Sequence, residues 1–547
     1  MTTIAQPDET LTAEDARFDE VVERWLRERL VIQPEWATYL GIHEHDHRLS
    51  LGGRDGIDEE VAFTKSAMAA MDTFRPDTLS PNRALDRDLV LHEARLRLFD
   101  LVERQSWAGR SDGAEAIGGA LFPLFTRDFA PLTDRLESIA ARLEAAPRYL
   151  EETRDRVDRP VQLWTEIDIQ SGEMLPSFLE TIQGAAADPS VPAEVRERLA
   201  QAIAGTVAAL DVHQAWLRDD VLPRSNAAWE TGPEQFEELV RLRELEASGD
   251  EIQAVGEEML AEGHAQRNAV CAEIDPARTP AEVADLVKND YPPTFEEALE
   301  EYRRSMDRAR AFVAEHDLAT LPPNDTLVVI ETPSYIRHLV PFAAYFEPAR
   351  FDPIPQGTYI VTPPETPDMM REHNYASISN TSVHEAYPGH HQQLSAAITN
   401  PSLVRLFSTS PEFAEGWAFY TERMMKEAGF DNTPTHRYVQ LTDAIWRATR
   451  IVLDVRLHRG EIGFDAAVDR LIKETGFEHP AALAEVKRYT STPTYQLSYL
   501  YGRHMIEALR RDIEQREGDA FSLKRFHDTL LYGGTMPVSY ARRLFDH

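Results

Sequence analysis

The chain has 547 residues, 42% of them hydrophobic, and carries a formal charge of −36 at pH 7. That balance suits a globular protein with a real core, and it argues against nucleic acid and anionic membrane surfaces, both of which need clustered Lys and Arg. The single cysteine, Cys271, excludes internal disulfides and thiolate metal clusters.

In chain order, the first ten residues lack a basic region followed by an apolar one, so a signal peptide is not expected. No apolar run approaches the length of a membrane span, and the expected location is cytoplasmic. The first half then reads as one amphipathic helix after another. Behind Thr12, Ala13–Val31 carries Phe18, Val21, Val22, Trp25 and Leu26 at helical spacing. Leu85–Glu103, Asp134–Arg156, Val195–Leu222, Gln235–Leu245 and Glu251–Ala272 repeat the pattern, with charges on the opposite face. Pro34, Gly52-Gly53, Pro131, Pro189 and Pro233 mark turns. His43, His45 and His47 of H-E-H-D-H read as polar surface residues of a loop. His92-Glu93 has Leu96 where a metal motif needs its second histidine.

After about Leu321 the character changes. Thr326–Thr332 and Thr358–Thr362 are short, β-branched and bounded by proline, so they read as strands. Ser382 to Gln393 then reads S-V-H-E-A-Y-P-G-H-H-Q-Q. Histidines supply neutral imidazole ligands, and a neighbouring carboxylate can take a proton from an activated water. A helical H-E-x-x-H motif places its histidines one turn apart, but here the next histidines are His390 and His391, six and seven positions after His384. On a regular helix the sixth position lies roughly 120° off the face, and the seventh lies about 10 Å along the axis. Neither can share an ion with His384 unless the helix is distorted. Pro388-Gly389 is the expected site of a bulge that returns His390 toward His384.

H-E-A-Y-P-G-H-H-Q-Q resembles the signature of the domain-of-unknown-function 885 family, which is grouped with zincin-type metallopeptidases. Q-P-E-W-A-T-Y-L-G-I-H at 33–43, P-E-F-A-E-G-W-A-F-Y-T-E at 411–422, R-I-V-L-D-V-R-L-H at 450–458 and F-H-D-T-L-L at 526–531 resemble further blocks of that family in the same order. Two departures fall in the downstream blocks. Thr494 and Tyr495 stand where the family often has glycine and glutamine, and Val455-Arg456 replaces its common T-G.

The resemblance implies a mainly α-helical, zincin-like protein: a large helical body with a cleft, and a small β element before the metal-site helix. The division expected is a helical part over 1–320 and a metal-site part over 321–547, together forming one continuous unit. Three ligands and an open position make a hydrolytic zinc site, and Glu415, 25 residues after His390 on a second helix, is the expected third ligand beside His384 and His390. His391 competes with His390 for the second place. Glu422 shares the face of Glu415 and can orient a ligand histidine, while Gln393 can support His391.

Glu385 is the expected general base. Arg450, Asp454 and His458 recur at i, i+4 and i+8, a stripe that can face a cleft. His458 and then Tyr499 are the candidates for contact with an oxyanion or substrate. By analogy with zincins, either expected strand can pair with a peptide backbone.

The function implied is zinc-dependent hydrolysis of an amide in a short peptide. The alternatives are hydrolysis of a non-peptide amide or ester, and a non-catalytic helical binding protein with a degenerate site. A di-iron helical protein is disfavoured because E-x-x-H pairs are missing around the motif.

Overall fold

A computed structural model describes residues 12–323, 325–332, 337, 340, 342–364 and 366–546. The ten residues on which a signal peptide was judged lie outside this set. The architecture is mainly helical, with one small three-stranded sheet. All six helices expected in the first half are present, with shifted ends: Ala13–Ile32, Pro81–Leu98, Leu132–Arg156, Ala193–Trp216, Pro233–Leu242 and Gly249–Ile274.

Their starts follow from local chemistry. Thr12 and Ser248 each form a reciprocal capping box with the acid three residues on, Asp15 and Glu251. Pro81 and Pro233 occupy first helical positions, where a missing N–H costs nothing. Several helices escaped the periodicity reading, among them Gly113–Thr126 and Gln162–Ala185, each of which carries a proline inside. Among the described residues, no helix is long and apolar enough to cross a membrane.

The sheet has the order β1-β3-β2, with β1 at Leu327–Glu331, β2 at Ala343–Phe346 and β3 at Gly357–Val361. β1 runs parallel to β3, and β2 antiparallel to it, so the two expected strands do not form a hairpin. β3 is central, and its Tyr359, Ile360 and Val361 are buried. One large apolar cluster joins the two parts of the chain. It includes Phe18, Phe236 and Tyr302 together with Val383, Trp417, Ile451 and Ile506. The helix Pro411–Glu427 packs against Leu500–Glu517 at a point where only glycines fit. A Cβ on Gly416 would lie 2.5 Å from the Gly502 carbonyl carbon, and one on Gly502 would lie 2.2 Å from the Glu412 oxygen.

Candidate metal centre

The motif does not form a bulged helix. It breaks into two. The first helix, Tyr375–Glu385, starts behind Asn374, whose side chain accepts from the Ser377 N–H, and ends at Glu385. Ala386 leaves the helix at φ −113°, ψ −84°, and a second helix begins at His390. Gly389 makes the join possible, because a Cβ there would lie 1.8 Å from the His384 carbonyl oxygen. The Gly389 N–H donates to the Val383 carbonyl, the Gln392 N–H to that of Ala386, and the Trp417 indole to that of Pro388. This re-entry brings the rings of His384 and His390 to 4.8 Å, nearly perpendicular at 86°. The expected distortion is therefore a helix break, and it achieves the same convergence.

Glu415 completes the group. Its Oε2 lies 3.3 Å from His390 Nε2 and 3.7 Å from His384 Nε2. The three ligand atoms fall within 4.8 Å of one another, the one such cluster among the described residues. Two imidazoles and a carboxylate are the donor set of a hydrolytic zinc centre, so these residues fit a divalent ion.

Glu422, two turns beyond Glu415, accepts from His384 Nδ1 at 2.7 Å and from Asn380 Nδ2 at 3.0 Å. With Nδ1 occupied, Nε2 is left to face the cluster. The Tyr495 hydroxyl donates to Glu415 Oε1 at 3.1 Å. Burial opposes charge on both partners, yet the Glu415 and Glu422 carboxylates hold the His384 pKa well above its ordinary value. The two imidazoles likewise hold Glu415 well below its own. The cluster thus stores charge that a cation can replace by displacing protons.

His391 takes no part in the cluster. It is fully buried, with Nε2 2.6 Å from Asp325 Oδ1 and Nδ1 2.9 Å from the Tyr345 hydroxyl, so both ring nitrogens are committed. It ties the second motif helix to the sheet, and the second histidine of the cluster is His390. Gln393 does not support it: the Gln393 amide donates to Thr535.

The 450–458 stripe also faces elsewhere. Arg450 donates to Gln496 Oε1 at 3.2 Å, and Asp454 accepts from the Thr494 N–H at 2.8 Å. The pair braces the turn that presents Tyr495. Thr494 sits there at φ 67°, a left-handed conformation in which glycine is at ease. His458 corrects the expectation most sharply. It is fully buried between Phe236 and Trp229, with Nε2 3.0 Å from the Tyr489 carbonyl, and burial pulls its pKa down to about 3. A helix face drifts over two turns, and by His458 the stripe points into the core rather than the cleft.

Above the cluster lies a cleft of about 1000 Å³. His384, Glu385, His390 and Glu415 line it, together with Tyr495, Tyr499 and Arg447. Trp36, Tyr39, Phe122, Tyr345, Phe346 and Glu347 line the remainder. Of the candidates for a second contact, Tyr499 is here and His458 is not. Burial lifts Glu347 to about 7, and the Tyr39 hydroxyl donates to it. The strand at the cleft is the edge strand β2, which the sequence reading passed over. β3 is paired on both sides, and β1 lies across it from β2. A-A-Y-F at 343–346 is too short to show alternation. Asp325, Asn380, Arg447, Tyr345 and Glu347 escaped for a similar reason, since no local spacing marks them.

With this geometry in hand, comparison with known proteins is informative. Residues 34–544 match the family described as "Bacterial protein of unknown function (DUF885)". The chain belongs to that family. No curated protein matches it. Two solved structures superpose over nearly the whole length of this DUF885 chain. One is a "putative lipoprotein of unknown function" from Shewanella oneidensis, 24% identical, covering 97% of this chain and 100% of its own, with a TM-score of 0.81. The other is a "putative lipoprotein" from Colwellia psychrerythraea, 18% identical, covering 98% and 99%, with a TM-score of 0.83. At these identities they share the DUF885 chain's fold.

Proposed function

We propose that this protein is a metal-dependent hydrolase that cleaves an amide bond in short peptides. The observation that carries the reading is the convergence of His384, His390 and Glu415 in the lining of a cleft that Glu385 also lines. His384, His390 and Glu415 would hold one zinc ion, and Glu422 would fix the tautomer of His384. When bound, the ion supplies Lewis acidity toward water and the substrate carbonyl. Glu385 accepts a proton from the attacking water and delivers it to the departing nitrogen. Tyr499, which lines the same cleft beside Tyr495, donates toward the carbonyl oxygen as negative charge develops on it. The edge strand β2 offers its outer backbone groups to an extended peptide. A cleft walled by helices favours short peptides over folded proteins.

The test is elemental analysis of protein purified without chelator, followed by cleavage of a short-peptide library by wild type and Glu385→Gln. About one zinc per chain with Glu385-dependent cleavage supports the reading. A chain that takes up no metal when zinc is supplied removes it.

We also infer a cytoplasmic location, supported by a single cysteine, Cys271, that is buried and free, so nothing in the fold needs an oxidising compartment. Cell fractionation tests this, and recovery with the membranes would overturn it.

A further inference from the structure

The cleft is lined by four arginines, and three have protein partners. Arg127 pairs with Asp352, Arg350 donates to the Asn400 carbonyl, and Arg405 holds Asp86 and the Gly533 carbonyl. Arg447 forms no hydrogen bond or ion pair with any described residue, and its Nε and Nη1 are buried without a partner. Leaving such donors unmade is costly, because they have given up water and received nothing in return. Asp443, one turn back on the same helix, feels the Arg447 charge but bonds to Asn380 at 3.1 Å instead.

The guanidinium is nonetheless held in place. Its Cζ lies 3.5 Å from the centre of the Trp446 ring and 4.5 Å from that of Tyr499. Aromatic rings occupy its faces, so a ligand approaches by the edge, where the N–H fork matches a carboxylate. The site is also close to the metal cluster. The Tyr499 hydroxyl is 3.5 Å from that of Tyr495, which donates to Glu415. Glu35 also lines the cleft, and a carboxylate there disfavours an anion. Among the arginines of the cleft, Arg447 is the one with unmade donors beside the metal cluster, so a negative peptide terminus is favoured there.

We propose that Arg447 receives the free α-carboxylate of a short peptide, so that the enzyme removes residues from the C-terminus. This rests on the hydrolase reading above. In each turnover one water adds across the scissile amide: the C–N bond breaks, the carbonyl carbon gains the water oxygen, and the released residue leaves with a free amine.

The test compares N-acetylated tripeptides as free acids and as C-terminal amides. Binding to zinc-loaded Glu385→Gln protein is measured by calorimetry, and cleavage by wild type is followed by mass spectrometry. The free acids are expected to bind about 10-fold or more tightly than the amides. Arg447→Gln is expected to erase that preference at unchanged zinc content, and Arg447→Lys to restore part of it. Equal binding of acid and amide, no binding of either, or a preference that survives Arg447→Gln would overturn the assignment. If Arg447→Gln does not fold, the acid–amide comparison on protein with Arg447 intact still decides. Preferential binding of acids without cleavage would remove the hydrolase and keep the carboxylate site. Equal cleavage of both forms would do the reverse.

Discussion

His43 and His384 both sit in histidine-rich segments, and in both a carboxylate grips Nδ1 at 2.7 Å: Asp46 for His43 and Glu422 for His384. They part at Nε2. In His43 it lies 3.0 Å from Asp352, at ordinary hydrogen-bond distance, and the ring stacks on Phe129. In His384 it stands 3.7 Å from Glu415, with His390 converging on the same oxygen. The first arrangement is closed, a bridge that ties residue 43 to the segment after β2. The second leaves a gap between ligand atoms that a small cation can fill. Richness in histidine therefore predicts little. One nitrogen anchored and the other aimed at shared space is the useful signature.

The comparison can be broken most decisively by His390→Ala. We expect zinc to fall from one per chain to none and hydrolysis to vanish, with helical circular dichroism retained. Retained metal would mean that the ion does not need the convergence described. Gly389→Ala should approach the same end point by another route, because the added methyl collides with the His384 carbonyl and forces the two motif helices apart. Its readout is loss of zinc together with a lower melting temperature. Glu385→Gln should keep the metal and lower kcat by roughly 10²–10⁴-fold, the range for a general base. Glu422→Gln should weaken zinc affinity by about 10–100-fold, as loss of a supporting carboxylate does.

The smallest effect sharpens the contrast from the other side. His43→Ala should leave zinc content unchanged and destabilise the fold by about 1 kcal/mol at low pH, the roughly 1.5–3 kcal/mol of hydrogen bonds to charged groups reduced by solvent screening of a half-buried ring. Burial pulls the His43 pKa down, but Asp352 and Asp46 more than offset it and hold it above the ordinary 6.5. A raised folded-state pKa means that this contribution is fully present below 6.5 and fades as pH rises through the raised value. Urea midpoints of wild type and variant should therefore differ most in mildly acidic buffer. A gap that widened toward alkaline pH would contradict the charged bridge.

Much of this protein was legible in its sequence because the information was local. Amphipathic periods placed six helices of the first half, and the motif put Glu385 directly beside His384. Glu415 and Glu422, two turns apart, had to share a face, and that spacing alone put the carboxylate that holds His384 on the helix of Glu415. Tertiary structure decided what no local period encodes. His390 rather than His391 joins the cluster because Asp325 and Tyr345, far away in the chain, consume both nitrogens of His391. His458 falls into the core because its face of the long helix packs against Phe236 and Trp229, whereas Arg447, eleven residues earlier on the same helix, opens on the cleft. Periodicity shows that side chains share a face. Only packing shows what that face meets.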